Sequence, residues 1–398
     1  MGTLIYQVIT GFKSPTFISS CGATVSAVIG ALALNATNNN YLMVFIGGLT
    51  ILAVYATFAL IVRLTGVEVI NKIFPPVIVG GVTIVIGINL AAFLVSYLGQ
   101  GGAGSAQAIY MNGGTEALTT VEMTSAVAIA LITMFTTALV SHYGKGFIKN
   151  IPFLFGISAG ILTSLIFSWC GVKMINFNAF NNLTWYPDLV FLKWSASDWS
   201  WGNFGKTLLY FIPVAVCALL EHYSDHKVLS NIIEQDLTVN PGLHRTLLGD
   251  GVASALGTAI GGLPNTSYGE SIATTGFSRV ASVWVITASA LTLGVLSFVA
   301  PVQALIQSIP PAVFGGCAMI LYGFIAASGL KTLFNNKVDL DNNKNLVIVS
   351  VILTVGVSGI FFLDAAFSGV ALAMVLGIIL NLILRTKKNN PEQAEKGC

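Results

Sequence analysis

Charge is what this sequence has least of. Aspartate, glutamate, lysine and arginine make up 9% of its 398 residues, against roughly 25% in an average soluble domain, too few to coat a water-exposed globule. Soluble enzymes, secreted domains and nucleic-acid binders are excluded together. Cysteine is also scarce and unpatterned. Cys21, Cys170, Cys217, Cys317 and Cys398 form an odd set without a CxxC pair, so small buried hydrophobes are expected rather than a disulfide framework or metal ligands. The opening MGTLIYQVITGF has neither the basic region nor the cleavage site of a signal peptide. What fills the chain instead is apolar. Hydrophobic residues reach 55%, glycine numbers 41, and the mean hydropathy is +0.83.

The apolar residues fall into long runs, at 17–34, 41–62, 75–99, 123–142, 151–171, 207–231, 247–262, 269–278, 280–306, 310–329, 346–363 and 365–384. Most can cross a hydrocarbon core of ~30 Å, which predicts a polytopic all-α membrane protein. The 269–278 run is too short, since ten helical residues rise only ~15 Å. If Lys13 is cytoplasmic and the chain then alternates, 15 of the 18 lysines and arginines lie inside, and only Lys173, Lys193 and Lys206 lie outside. That bias orients the chain and leaves RTKKNNPEQAEKGC as a cytoplasmic tail.

An internal correspondence divides the chain. FPPVIVGG (74–81) returns as IPPAVFGG (309–316), each opening an apolar span, the first from the cytoplasmic side beside Lys72 and the second from outside. Two halves of opposite orientation form an inverted-topology repeat, common in secondary transporters. More weakly, SPTFISSCGA (14–23) corresponds to LPNTSYGESI (263–272). Two spans precede Pro264 in the second half, whereas fourteen residues precede Pro15 in the first. The symmetry therefore predicts roughly two further helix-lengths, of ~20 residues each, ahead of Met1.

Ionisable residues inside spans are functional candidates, because burying them costs several kcal/mol. Glu221 and Asp225 follow an apolar stretch and, at i and i+4, share one helix face. Asp225 has a second reading, as a solvated helix end beside His226 and Lys227. Glu270 lies in PNTSYGESIATTG, where Pro264 and Gly269 disfavour a continuous helix. A broken helix offers free backbone N–H donors, two carboxylates offer acceptors, and Tyr268 or Tyr322 can pack against a ring. The pattern suits a polar planar solute bound together with a proton. His222 and His226 read as helix-end or supporting groups, not metal ligands, having no third ligand at suitable spacing. Glu68, Glu122, Asp250 and Asp364 fall near span ends and are expected to be solvated.

These residues carry a resemblance. EHYSDHKVLSNIIEQDLTVNPGLHRTLLGDG followed by GGLPNTSYGESIATTGFSRVASVWVI resembles the nucleobase–cation symporter (nucleobase–ascorbate transporter) family, and within it the bacterial uracil permeases. There an EHxxDH or EHxxH motif lies in the eighth helix and PNTTYGEN in the tenth. The similarity runs over nearly the whole chain. It implies fourteen segments in an inverted seven-plus-seven repeat with core and gate domains. Segments three and ten would be short strands leading into half-helices. By position, Glu221 and Glu270 would hydrogen-bond the nucleobase, with Asp225 and Glu221 coupling the proton. Gly269 and Tyr268 would line the pocket, Tyr322 would close it, and Ser20, Cys21 and Gly22 would supply backbone donors. The sequence departs from the pattern in having Gly22 where an aromatic residue is usual, Ser271 for asparagine, and Ala273 for glycine. Met1 aligns inside the second helix, so the first helix and part of the second are expected to be missing.

The resemblance implies a proton-coupled importer of uracil in the cytoplasmic (inner) membrane, multi-pass, with no enzyme activity and no cofactor besides the proton as coupling ion. Membrane lipid and a homodimer are the implied partners, with no nucleic acid. The expected division is core 1–72 (incomplete), gate 73–171, an extracytoplasmic loop 172–206, core 207–306, gate 307–386 and a tail 387–398. A xanthine or urate permease of the same family is the runner-up, kept open by Asp225, and an inactive truncated fragment is a further option. An anion transporter of the same architecture is disfavoured by the charge of Glu270. A membrane enzyme is disfavoured by the lack of a Ser/His/Asp or HExxH arrangement.

Overall fold

The structure is a computed structural model. It describes residues 1–34, 40–68, 72, 74–181, 183, 185, 191, 194, 199–360 and 369–384. Asp364, Lys193 and the tail from 385 lie outside the described residues.

Hydropathy gives the helices their length and local signals give them their ends. The long helices are α3 (Tyr41–Thr65), α4 (Pro76–Ala91), continued by the short α5 (Phe93–Tyr97), α7 (Thr120–Tyr143), α8 (Pro152–Trp169), α9 (Trp201–Ile233) and α14 (Pro311–Asn335). Before them come α1 (Gly2–Thr10) and α2 (Val25–Leu32), and α6 (Ala106–Asn112) precedes α7. Asn40 caps α3 by accepting from the Met43 N–H at 3.1 Å, and Thr119 with Glu122 forms a reciprocal capping box on α7. Both Pro-Pro motifs do the same work: Pro76 and Pro311 occupy the first helical position of α4 and α14, where a missing N–H is harmless and φ is preset. Among the described residues, six helical segments, counting α4 with α5 as one, are long and apolar enough to cross a membrane.

The second half continues with α10 (Leu243–Ala259), α11 (Gly269–Ser278), α12 (Val283–Leu296), α13 (Ala300–Gln307), α15 (Asn343–Val357) and α16 (Gly369–Ile383). Sequence reading made 280–306 a single span. Instead α12 and α13 meet at a bend of 99°. Pro301 lies in the first turn of α13, where it starts a helix readily but cannot continue one across the junction. The 17–34 run is likewise no continuous span: it holds β1 (Ile18–Ser20), a 3-10 turn (Gly22–Thr24) and α2.

β1 pairs antiparallel with β2 (Asn265–Ser267), in the register Ile18 to Ser267, Ser19 to Thr266 and Ser20 to Asn265. Each strand is followed by a short helix, α2 and α11, as expected of the two broken segments. The helix pairs α3 with α10 and α4 with α14 pack closely. Glycine makes the second approach possible: a Cβ at Gly87 would lie 2.5 Å from the Ala326 nitrogen, and one at Gly329 2.7 Å from the Gly80 oxygen. One buried apolar core runs through α3, α4, α9 and α15. Cys21, Cys217 and Cys317 are buried, while Cys170 is exposed, and none of the four is in a disulfide among the described residues.

Candidate functional site

The site forms where α9 passes the β1–β2 ladder. The ladder is lengthened at both ends, by Cys21 N–H donating to the Pro264 oxygen (2.8 Å) and Tyr268 N–H donating to the Phe17 oxygen (3.0 Å). Extended backbone inside a membrane must satisfy its own hydrogen bonds, and these do so. They also correct one expectation. The Cys21 N–H is already engaged by Pro264, so Cys21 does not offer that donor to a ligand. It contributes its thiol instead, 3.8 Å from Glu221 Oε2.

Glu221 and Asp225, both half-buried on α9, face this region one turn apart. Ser267, the last residue of β2, donates its hydroxyl to Asp225 Oδ2 at 2.8 Å. Gly269 opens α11. A Cβ added there would lie 3.7 Å from Asp225 Oδ1 and 3.6 Å from Ile325 Cγ1. Asp225 therefore sits against the start of the half-helix, with α14 closing the other side, and it is not a solvated helix end. Tyr268 is the residue before α11 and is half-buried. Tyr322, also half-buried, lies one turn before Ile325 on α14. Gly22, in the 3-10 turn after β1, is exposed, with Leu90 3.4 Å from where its Cβ would be. Glu270 is the second residue of α11; its side chain lies outside the described residues.

The opposite face of α9 shows what sequence reasoning missed. Asp250, expected at a solvated span end, is fully buried on α10, and its Oδ2 lies 2.8 Å from His222 Nδ1. Thr266 of β2 donates to the same oxygen at 3.3 Å. His226 is equally buried. Its Nδ1 is 2.8 Å from the His222 carbonyl, which can only accept, so Nδ1 carries a proton. In the neutral ring Nε2 then accepts from the Tyr6 hydroxyl at 2.7 Å. Tyr6 is tied on to Ser14 (2.9 Å) and Ser14 to Thr16 (2.8 Å), all buried. The two imidazoles stack at 4.0 Å. Asp250 Oδ1, His222 Nε2 and the Tyr55 hydroxyl, also buried, have no hydrogen-bond partner among the described residues.

The signal for this second face lay in the sequence as Gly249-Asp250-Gly251. A Cβ at Gly249 would lie 2.8 Å from Tyr6 Cδ2, and one at Gly251 3.1 Å from Leu52 Cδ1 and Tyr55 Cβ. The glycines admit two neighbouring helices and enclose the acid between them. The same triplet in isolation resembles a turn.

Comparison with known proteins is consistent over almost the whole chain. The sequence profile of the permease family matches residues 1–365. The chain is 35% identical over 401 residues to the uracil permease of Bacillus subtilis, covering 99% of this chain and 86% of that protein. It is 32% identical over 388 residues to the uracil permease of Escherichia coli K12, covering 97% and 83%. Among solved structures, the transmembrane domain of the cyanobacterial bicarbonate transporter BicA superposes with a TM-score of 0.59 at 16% identity, covering 96% of this chain and 88% of that one. That likeness concerns the fold alone.

Proposed function

The chain belongs to the permease family, whose profile spans most of its length, and from that premise we propose that this multi-pass membrane protein imports uracil with a proton by alternating access. The observation that carries the reading is the meeting of Glu221 and Asp225 with the strand-to-helix break: Ser267 bonded to Asp225, and Gly269 leaving room beside it. Carboxylates accept from the N–H groups of a pyrimidine ring, and the open backbone at Gly269 lets that ring come close. The relatives named as uracil permeases support the choice of substrate.

In this reading Glu221 and Glu270 bind the base. Gly269, Tyr268 and the Cys21–Gly22 turn line its site, Tyr322 closes it, and Asp225 with Glu221 carries the proton. The core comprises 1–72 and 207–306, the gate 73–171 and 307–386. The core moves against the gate while holding base and proton, so transport is a shift of population between two states. Protonation outside favours loading, and deprotonation on the cytoplasmic side favours release.

Radiolabelled uracil uptake into proteoliposomes under an inward proton gradient tests this. Gradient-dependent uptake that resists unlabelled xanthine and is lost in Glu270→Gln is expected. Uptake blocked by xanthine would move the substrate to a purine, and accumulation driven by sodium regardless of the pH gradient would overturn proton coupling.

A further inference from the structure

A cavity of ≈ 520 Å³ opens between α9, α14 and the start of α4, beyond the site toward the ends of α9 and α14 that carry Lys227 and Lys331. If Lys13 is cytoplasmic and the chain alternates, the positive-inside bias puts that side in the cytoplasm. On α9 it is lined by Ser224, Lys227 and Asn231, continuing the helix from Asp225; on α14 it is lined by Ser328, Lys331 and Asn335, continuing from Ile325. It therefore lies on the route from the base-binding region to the cytoplasm. The volume is in the range of small-molecule sites, ~300–1,000 Å³.

Its chemistry does not match a neutral base in transit. The described lining holds two lysines on opposite walls and no carboxylate. Uracil has no charge for either lysine to meet, whereas an anion in the cleft would meet a cation on each of these two helices. The amides of Asn231 and Asn335 add both donors and acceptors, the complement of a nucleobase edge. Lys227 is already engaged at the rim, 3.8 Å from Asp236 Oδ2 and 3.5 Å from the Thr238 hydroxyl. An incoming anion would have to compete with Asp236 for it.

We propose that this cleft binds a phosphate monoester bearing a polar base, of the nucleoside monophosphate class, from the cytoplasmic side, and that its occupancy stalls transport. Phosphate meets Lys227 and Lys331 while the base meets the asparagines. A ligand held by both walls binds best the arrangement that brings them together around it, and differential affinity of that kind shifts the population toward it. The stalling rests on the transport reading above; the binding does not.

Titration calorimetry of the purified full chain with uridine 5′-monophosphate tests the binding. Lys331→Gln should weaken binding about tenfold, the worth of one charge-assisted hydrogen bond. Asp236→Asn, which frees Lys227, should tighten it severalfold. Uridine and inorganic phosphate should each bind at least about tenfold more weakly than the monophosphate. Equal affinity in the unsubstituted protein and both variants, or no binding, would overturn the proposal. Affinity lost in nanodiscs containing phosphatidylglycerol, but kept in neutral ones, would overturn the nucleotide and give the lysines to a lipid phosphate. In proteoliposomes, monophosphate enclosed in the lumen should slow uracil uptake severalfold, and less so with Lys331→Gln. Unaltered uptake alongside binding would overturn the stalling. Lysine-dependent binding without any uracil uptake would leave the site standing and remove the transport reading instead.

Discussion

The two faces of α9 carry the same kind of chemistry and use it oppositely. Glu221 and Asp225 point toward the strand break and are half-buried; His222 and His226, each one residue further on, are buried at 0% and 1% exposure. Each histidine is tied to a different helix, His222 to Asp250 of α10 and His226 to Tyr6 of α1. The carboxylates meet small groups, the Ser267 hydroxyl and the Cys21 thiol, beside space left by Gly269. The rear pair sets the rotation and height of the helix. The front pair is left with room to exchange partners. Buried polar groups that are fully enclosed resist substitution, because removing one strands another.

That contrast predicts activity without stability on one side and stability first on the other. Glu221→Gln is expected to lower uracil uptake by up to about a hundredfold, the loss of a charged hydrogen bond worth up to ~3 kcal/mol, with the thermal midpoint in detergent unchanged. A matching fall in the midpoint would show that the front face is structural too. Asp250→Ala comes next. It strands the buried His222 and should destabilise the protein by about 1–3 kcal/mol, read as a lower midpoint. Replacing both Asp250 and His222 by leucine should restore part of that loss, because the imidazole is then no longer stranded and only the Thr266 hydroxyl loses an acceptor. A double variant no better than the single one would break the mounting role.

Ser267→Ala removes one hydrogen bond from Asp225. An effect of about 1 kcal/mol, roughly fivefold in uptake, is expected, with normal folding. The smallest effect belongs to the rim. Partial burial of Asp236 works against its charge, but the Thr238 hydroxyl and N–H and the Lys227 ammonium outweigh it, and the carboxyl is held below its ordinary range. A lowered carboxyl value stabilises the folded state above the unfolded value, and this contribution is lost as pH falls through the folded one. Melting curves of Asp236→Asn should therefore fall slightly under those of the unsubstituted protein above about pH 5 and converge with them once acid protonates the folded carboxyl.

Much of this arrangement was legible in the chain. Long apolar runs announced the helices, Pro264 and Gly269 announced the break, and i, i+4 spacing placed Glu221 with Asp225. These signals are local: a run, a breaker, a spacing. Asp250 was not legible, because its burial depends on Tyr6 and Tyr55 arriving from helices about 245 and 195 residues away in sequence, through gaps made by Gly249 and Gly251. The bend before Pro301 was hidden for a different reason. Hydropathy stays high across it, so only the proline marked a change of direction. That the Cys21 N–H is spent on Pro264 was not legible either, since strand pairing is a long-range event that no spacing reveals.

The β1–β2 ladder has a mechanical consequence. Three residue pairs, with a further backbone bond at each end, fasten the approach to α2 to the approach to α11. The two short helices thus hang from one ribbon, although some 245 residues separate the strands. Neither can tilt or slide alone without breaking hydrogen bonds that no water is present to replace. A movement that begins at one half-helix is delivered to the other within the same step, and the two travel as one piece.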